Sequence, residues 1–250
     1  MMTNPNLLQI AKKLARNVQV NQDISPVVYA RKIDDIVRGD TYPLALQNLR
    51  EKLQGKNNQI QHMFSGEDGR SVVRPLTCKE SFEALVEHYN SGSDPEQKLL
   101  FWRNGFDTCT GIVAKESNPA YIKIIPLSRE LVNIPPSFTG KYIDIDYSKF
   151  EVEEFPFRRE YCVPLKKEDV PNNLYWLALF DNNKALLKEV VNIVFSETRK
   201  EKAMEFGLGP NVVQCKVLKS IYINGIDNDM RANAESPLDV PCRFLTLKTE

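Results

Sequence analysis

From residue 98 onward, short runs of β-branched and aromatic residues are separated by Pro, Gly and Asn: KLLFWRN, TCTGIVAK, AYIKIIP, KYIDIDY, FPFRREYCVP, LYWLALF, VVQCKVLKSIYI and CRFLTLK. Residues of this kind suit a pleated, half-buried surface, and the punctuation limits each run to strand length. One helical pattern interrupts them, over 182–207, with Leu187, Val190, Val191 and Val194 on its apolar face and GLGP as its stop. The segment VVNIVF is β-branched enough to admit a strand breaking at Ser196 as well. Strands clustered with few intervening helices favour an antiparallel sheet over a doubly wound one.

Before this region the spacing changes. Asn4-Pro5 reads as a cap with a first-turn proline, followed by Leu7, Leu8, Ala11, Leu14, Ala15 and Val18 at helical intervals. Ser25-Pro26 repeats the signal ahead of Tyr29, Ile33, Ile36 and Val37, with Gly39 as the stop. A third helix is predicted over 43–54 from Leu46, Leu49 and Leu53. Each helix carries a single apolar stripe and so must pack on something. Residues 56–72 are polar and turn-rich, reading as a linker or exposed hairpin. Thr77 and Glu80 then form a capping box before a helix whose buried face is Phe82, Leu85, Val86 and Tyr89. The expected fold class is α+β: a helical N-terminal region, 1–55, followed by a body, 56–250, with a mainly antiparallel β-sheet and one long helix.

A chain of 250 residues with 42% apolar content can bury a core without staples. Lys+Arg and Asp+Glu balance at 33 each, which disfavours a strongly basic nucleic-acid binder. There is no 18-residue apolar window and no signal-peptide pattern, so neither a membrane span nor signal-directed secretion is expected. The five cysteines are widely spaced with no CxxC, as free thiols in a reducing compartment would be. The expected setting is cytoplasmic or virion-associated.

The stretch KYIDIDYSKFEVEEFPF, 141–157, concentrates acidic residues. On a strand, Asp144 and Asp146 share one face and Ile143, Ile145 and Tyr147 the other. The acidic pair could hold magnesium, which takes oxygen ligands. The same pattern equally describes the wet face of an antiparallel sheet, with Glu151, Glu153 and Glu154 as edge charges, and this second reading is favoured. A metal-dependent nuclease would set an acid against a Glu/Gln-x-Lys triplet. Glu96-Gln97-Lys98 and Gln214-Cys215-Lys216 fit locally, with Asp107 or Asp181 as the acid. Triplets of this form are common by chance. Asp227-Asn228-Asp229 begins like a calcium loop, but Arg231 and Ala232 break the pattern. No nucleophile elbow, P-loop or dinucleotide fingerprint is present. The two histidines, His62 and His88, give acid–base catalysis little material, and His88 reads as a surface or boundary residue.

LYWLALF reads as a buried core strand, with Tyr175 and Trp176 as alternative interface anchors. Residues 172–183, NNLYWLALFDNN, resemble an aromatic segment of contractile-phage baseplate wedge proteins, and the likeness brings no functional residue. Together these features predict a non-enzymatic subunit of a larger assembly, of the kind a viral or phage particle contains. Its contacts would be with protein partners or further copies of itself, through Leu7, Leu14, Tyr29, Ile33, Tyr175 and Trp176, without a cofactor. The alternative is the magnesium-dependent nuclease or hydrolase.

Overall fold

The computed structural model describes residues 31–56, 60–65, 70–91, 105–115, 117, 120–159, 162–208, 217–226, 229–234 and 237–249. Strand β1 (Arg31–Gly39) pairs antiparallel with the last strand, β12 (Cys242–Thr249), as a separate two-stranded sheet. Helix α1 (Tyr42–Leu53) and the hairpin β2 (His62–Ser65) with β3 (Arg70–Val73) lead to helix α2 (Cys78–Asn90). The main sheet then begins with β4 (Phe106–Lys115) and β5 (Tyr121–Ile125), followed by the short helix α3 (Arg129–Val132). After it come β6 (Ile143–Asp144), β7 (Glu154–Pro156), β8 (Leu165–Lys166), helices α4 (Leu174–Leu179) and α5 (Lys184–Thr198), and strands β9 (Lys202–Gly207), β10 (Val217–Ile226) and β11 (Asp229–Asn233).

The main sheet runs in the order β7-β5-β4-β10-β11-β9-β8, with β6 on the far end of β10. It is mixed: β9 lies parallel to β11, matching Met204 to Met230 and Phe206 to Ala232, whereas β10 meets both β4 and β11 antiparallel. The sheet curls so that β4, besides pairing with β10, also packs beside β12.

Both faces of this curled sheet are covered. Along β4, Phe106, Ile112 and Ala114 enter one core with Phe82, Trp176, Phe180, Leu187, Val190 and Phe206, while Val113 enters a second with Tyr42, Leu46, Leu49 and Phe244. The same alternation holds on β10, where Ile221 and Ile223 face the first core and Leu218 the second. Strands buried on two sides read as continuous apolar runs, which is why TCTGIVAK and SIYI carry so little charge. The polar members are bonded inward. Thr108 Oγ1 donates to the Ile221 carbonyl at 2.8 Å, and Thr110 Oγ1 to that of Pro126 at 2.9 Å.

Several expectations are corrected. Leu7, Leu14 and Tyr29 lie outside the described residues, but Ile33, Ile36 and Val37 stand on a strand, not a helix. A β-bulge between Ile33 and Asp35 is the reason: Ile33 lies opposite Leu247 and Ile36 opposite Leu245, so residues three apart on β1 match residues two apart on β12. That extra residue imitates helical spacing. The long helix expected to Gly207 stops at Thr198, where Arg199 turns left-handed at φ 53° and the chain re-enters the sheet as β9. LYWLALF forms helix α4 over Leu174–Leu179 with Phe180 as its C-cap, and the Asn173 side chain opens it by accepting from the N–H groups of both Tyr175 and Trp176. Of KYIDIDY, two residues pair as strand. A mixed, curled sheet with several short helices therefore replaces the mainly antiparallel sheet with a helical N-terminal region and one long helix.

The capping box forms as spaced. Thr77 Oγ1 accepts from the Glu80 N–H at 3.2 Å, and the Glu80 carboxylate accepts from the Thr77 N–H at 2.8 Å. Arg74 adds two guanidinium bonds to the same carboxylate at 2.6 and 2.7 Å, which helps hold its pKa below the usual value despite burial. Replacing Thr77 by Ala should lower stability by about 1 kcal/mol in urea unfolding, the usual cost of a lost hydroxyl cap. An unchanged midpoint would show that Arg74 alone holds the helix start.

Candidate functional site

The stretch at 141–157 is a strap pinned to the sheet by lysines. Lys123, on β5, places its ammonium 4.3 Å from the Tyr147 ring centroid and donates to the Phe150 carbonyl at 2.7 Å. Lys219, on β10 and buried, sits 4.4 Å from the Tyr142 ring centroid. Cation–π contacts of this kind gain strength when the cation is desolvated. Asp144 is exposed on β6, and Asp146 accepts from the Ser148 N–H at 2.9 Å, capping a short 3-10 turn, Tyr147–Lys149. The two carboxylates thus belong to successive local structures, not to one continuous strand face. No three His, Cys, Asp or Glu side chains converge into a metal-binding group among the described residues.

Of the nuclease residues, Glu96, Lys98, Gln214 and Lys216 lie outside the described residues, and Asp107 is placed. Its carboxyl is buried between the two sheets. One oxygen accepts from Ser220 Oγ at 3.4 Å and the other from the Arg243 N–H at 3.2 Å, with the Cys242 thiol beside it. Burial pushes its pKa up to about 6 against the opposing help of those donors. A carboxyl shifted in this way can mark a reactive site. Here its partners come from β10 and β12, so it joins the main sheet to the terminal pair. The other acid considered, Asp181, is exposed and pairs with Lys79 at 3.5 Å.

Tyr175 and Trp176 pack inside the chain's own core and not on its surface. Tyr175 donates from its hydroxyl to the Pro156 carbonyl and accepts from the Arg158 N–H, both at 2.9 Å. Of the proposed contact residues, Ile33 is placed on β1 by its backbone. His88 is buried in α2 rather than at its surface.

The feature that sequence reasoning missed adjoins Cys242 and Arg243, the residues of β12 that contact Asp107. An open cleft of about 430 Å³ is walled by Arg38 and Gly39 at the end of β1, by Leu44 and Asn48 on α1, and by Pro241, Cys242 and Arg243 at the start of β12. The β1–β12 register sets Arg38 opposite Arg243, so two guanidinium-bearing side chains leave neighbouring backbone positions on one face. Neither forms an ion pair within 4 Å among the described residues, although Asp40 lines the same cleft. The Asn48 amide donates to the Arg38 carbonyl at 2.8 Å and ties α1 to this strand end. A Cβ at Gly39 would run into the backbone of Ala45, so glycine permits the close seating of α1. No local pattern announces the pair: Arg38 and Arg243 meet only because the first and last described strands pair.

No family model and no curated protein matches the sequence. A solved structure, from work on the accommodation of massive sequence variation in Nanoarchaeota by the C-type lectin fold, aligns over 86% of this chain and 97% of its own, with a TM-score of 0.57. Sequence identity is 7%, so the likeness shows the fold alone: a C-type lectin fold. No described helix is long and apolar enough to cross a membrane.

Two predictions follow from the geometry around Asp107. Because its folded pKa is raised, protonation favours the native state, and stability is lost as pH rises from the unfolded pKa through about 6. Asp107→Asn removes that dependence. Its stability relative to the parent should improve by about 2 kcal/mol between pH 4.5 and 7.5 in urea unfolding; a constant difference would assign the carboxylate a purely hydrogen-bonding role. Gly39→Ala should cost about 1–3 kcal/mol through overpacking against α1, read as a lowered thermal midpoint.

Proposed function

We propose that the chain is a non-enzymatic subunit of a larger protein assembly, using its C-type lectin fold as a rigid body that presents contacts. The observation that carries this reading is how the chemically capable side chains are used. Asp107 is sealed by Ser220, Cys242 and Arg243. Glu80 is held by Arg74 and by the start of its own helix. Burial raises the thiol of Cys78 to about 11 and that of Cys109 to about 12, far from the thiolate that nucleophilic attack requires. By contrast, Arg38 and Arg243, which form no ion pair within 4 Å among the described residues, line a cleft open at the surface, where a second molecule can reach them. Fold-level likeness to a lectin-type scaffold is compatible with binding but does not choose a partner.

The test is light scattering and native mass spectrometry on the purified full chain, alone and after cross-linking in the cells that produce it. A defined oligomer or stoichiometric protein complex is the expected outcome. A magnesium-dependent cleavage of DNA or RNA that disappears in a folded Asp107→Asn variant would overturn the reading.

A further inference from the structure

We propose that the cleft between the end of β1 and the start of β12 receives an acidic peptide segment of a protein partner, with its carboxylates held by Arg38 and Arg243. The inference rests on the assembly reading above and names the chemistry of one contact.

Three observations lead to it. First, like charges placed directly across an antiparallel pair oppose folding, and such local conflicts concentrate where a chain serves something other than its own stability. Second, nothing within the described residues relieves the conflict by an ion pair. Asp35, engaged by Lys52 at 2.6 Å, also feels the charge of Arg38, and Asp107, which takes the backbone N–H of Arg243, also feels that of its guanidinium, but neither arginine closes to an ion pair. Two guanidinium groups borne by directly opposed backbone positions suit carboxylates, each of which can accept two parallel N–H bonds. Third, the cleft is not purely ionic. Leu44 stands 39% exposed on one wall, and Pro241 lines the cleft as well. A ligand that brings an apolar side chain next to its carboxylates fits this lining better than a bare inorganic anion does.

The rest of the cleft narrows the choice of occupant. The start of α1 adds no free donors: the Tyr42 N–H is given to the Leu238 carbonyl and the Leu44 N–H to Thr41 Oγ1. Asp40 offsets part of the positive charge. A nucleic-acid groove needs a succession of cations tracking phosphates, whereas one arginine pair beside an aspartate matches a short acidic peptide.

The experiment is fluorescence anisotropy with the full chain and a fluorescein-labelled EELEE peptide at low salt, against the parent and the variants Arg38→Gln, Arg243→Gln, the double variant and Leu44→Gln. The double variant should weaken binding at least about tenfold and Leu44→Gln about threefold, with affinity falling as salt rises. Arg243 adjoins Asp107, so if its replacement disturbs folding the single variant Arg38→Gln, with an expected loss of about fivefold, carries the test. Unchanged affinity in folded Arg38→Gln overturns the proposal. So does displacement of the peptide by equimolar inorganic phosphate, which would define a small-oxyanion site, or tighter arginine-dependent binding of a single-stranded oligonucleotide. The two readings fail separately. Arginine-independent peptide binding leaves an assembly seen by light scattering intact, and nuclease activity would leave the arginine dependence of peptide binding still measurable.

Discussion

The pairing of β1 with β12 is the contact on which the rest of the architecture depends. It runs from Arg31 opposite Thr249 to Gly39 opposite Cys242 and brings together segments with nearly the whole described chain between them. Leu245 and Leu247 of β12 enter one core while Phe244 and Cys242 enter the other, so this strand, like β4 and β10, contributes to both layers. Its side away from β1 is also occupied: the Gln61 amide donates to the Leu245 carbonyl at 3.2 Å, and its oxygen accepts from the Leu247 N–H at 3.3 Å. A side chain stands in for a neighbouring strand and satisfies backbone groups that would otherwise be buried unpaired.

Polar groups hold the layers in place where apolar packing alone is non-directional. Asp107 joins β4 to β10 and to the start of β12. Arg50 spans from α1 to the carbonyls of Val73 and Val132 at 3.3 and 2.6 Å. The Tyr42 hydroxyl donates to the Thr108 carbonyl at 3.1 Å while its ring meets Phe244 edge-on at 4.9 Å. These bonds fix register and spacing, and the aromatic group of Phe82, Trp176 and Phe180 fills the opposite layer. With the interior so committed, the arginine pair of β1 and β12 is left at the rim of an open cleft.

What could be read in the sequence was what depends on near neighbours. The Thr77–Glu80 box, the α1 stripe of Leu46, Leu49 and Leu53, and the β-branched runs of β5 and β12 each carry their own signal within a few residues. What could not be read depends on partners far along the chain. The bulge in β1 gave Ile33 and Ile36 a helical interval that only the register with Leu247 and Leu245 resolves. Arg199 has no intrinsic claim to a left-handed conformation, and the gain from seating Ala203, Met204 and Phe206 in the core decides the break in α5. The apolar run 174–180 is consistent with strand or helix, and the capping oxygen of Asn173 tips it to helix. The surface cleft was hidden for the same reason, since its two arginines are brought together by tertiary pairing.

Joining the outermost described strands also sets a timetable for folding. During synthesis β1 leaves the ribosome long before β12 exists, and until then its nine backbone units lack the partner they will have. Contacts between such distant segments carry a large loop-closure entropy and slow the search for the native state. The bulge and the charged residues of RKIDDIVRG make that waiting strand a poor template for other chains, a safeguard that matters most in the interval before the fold can close.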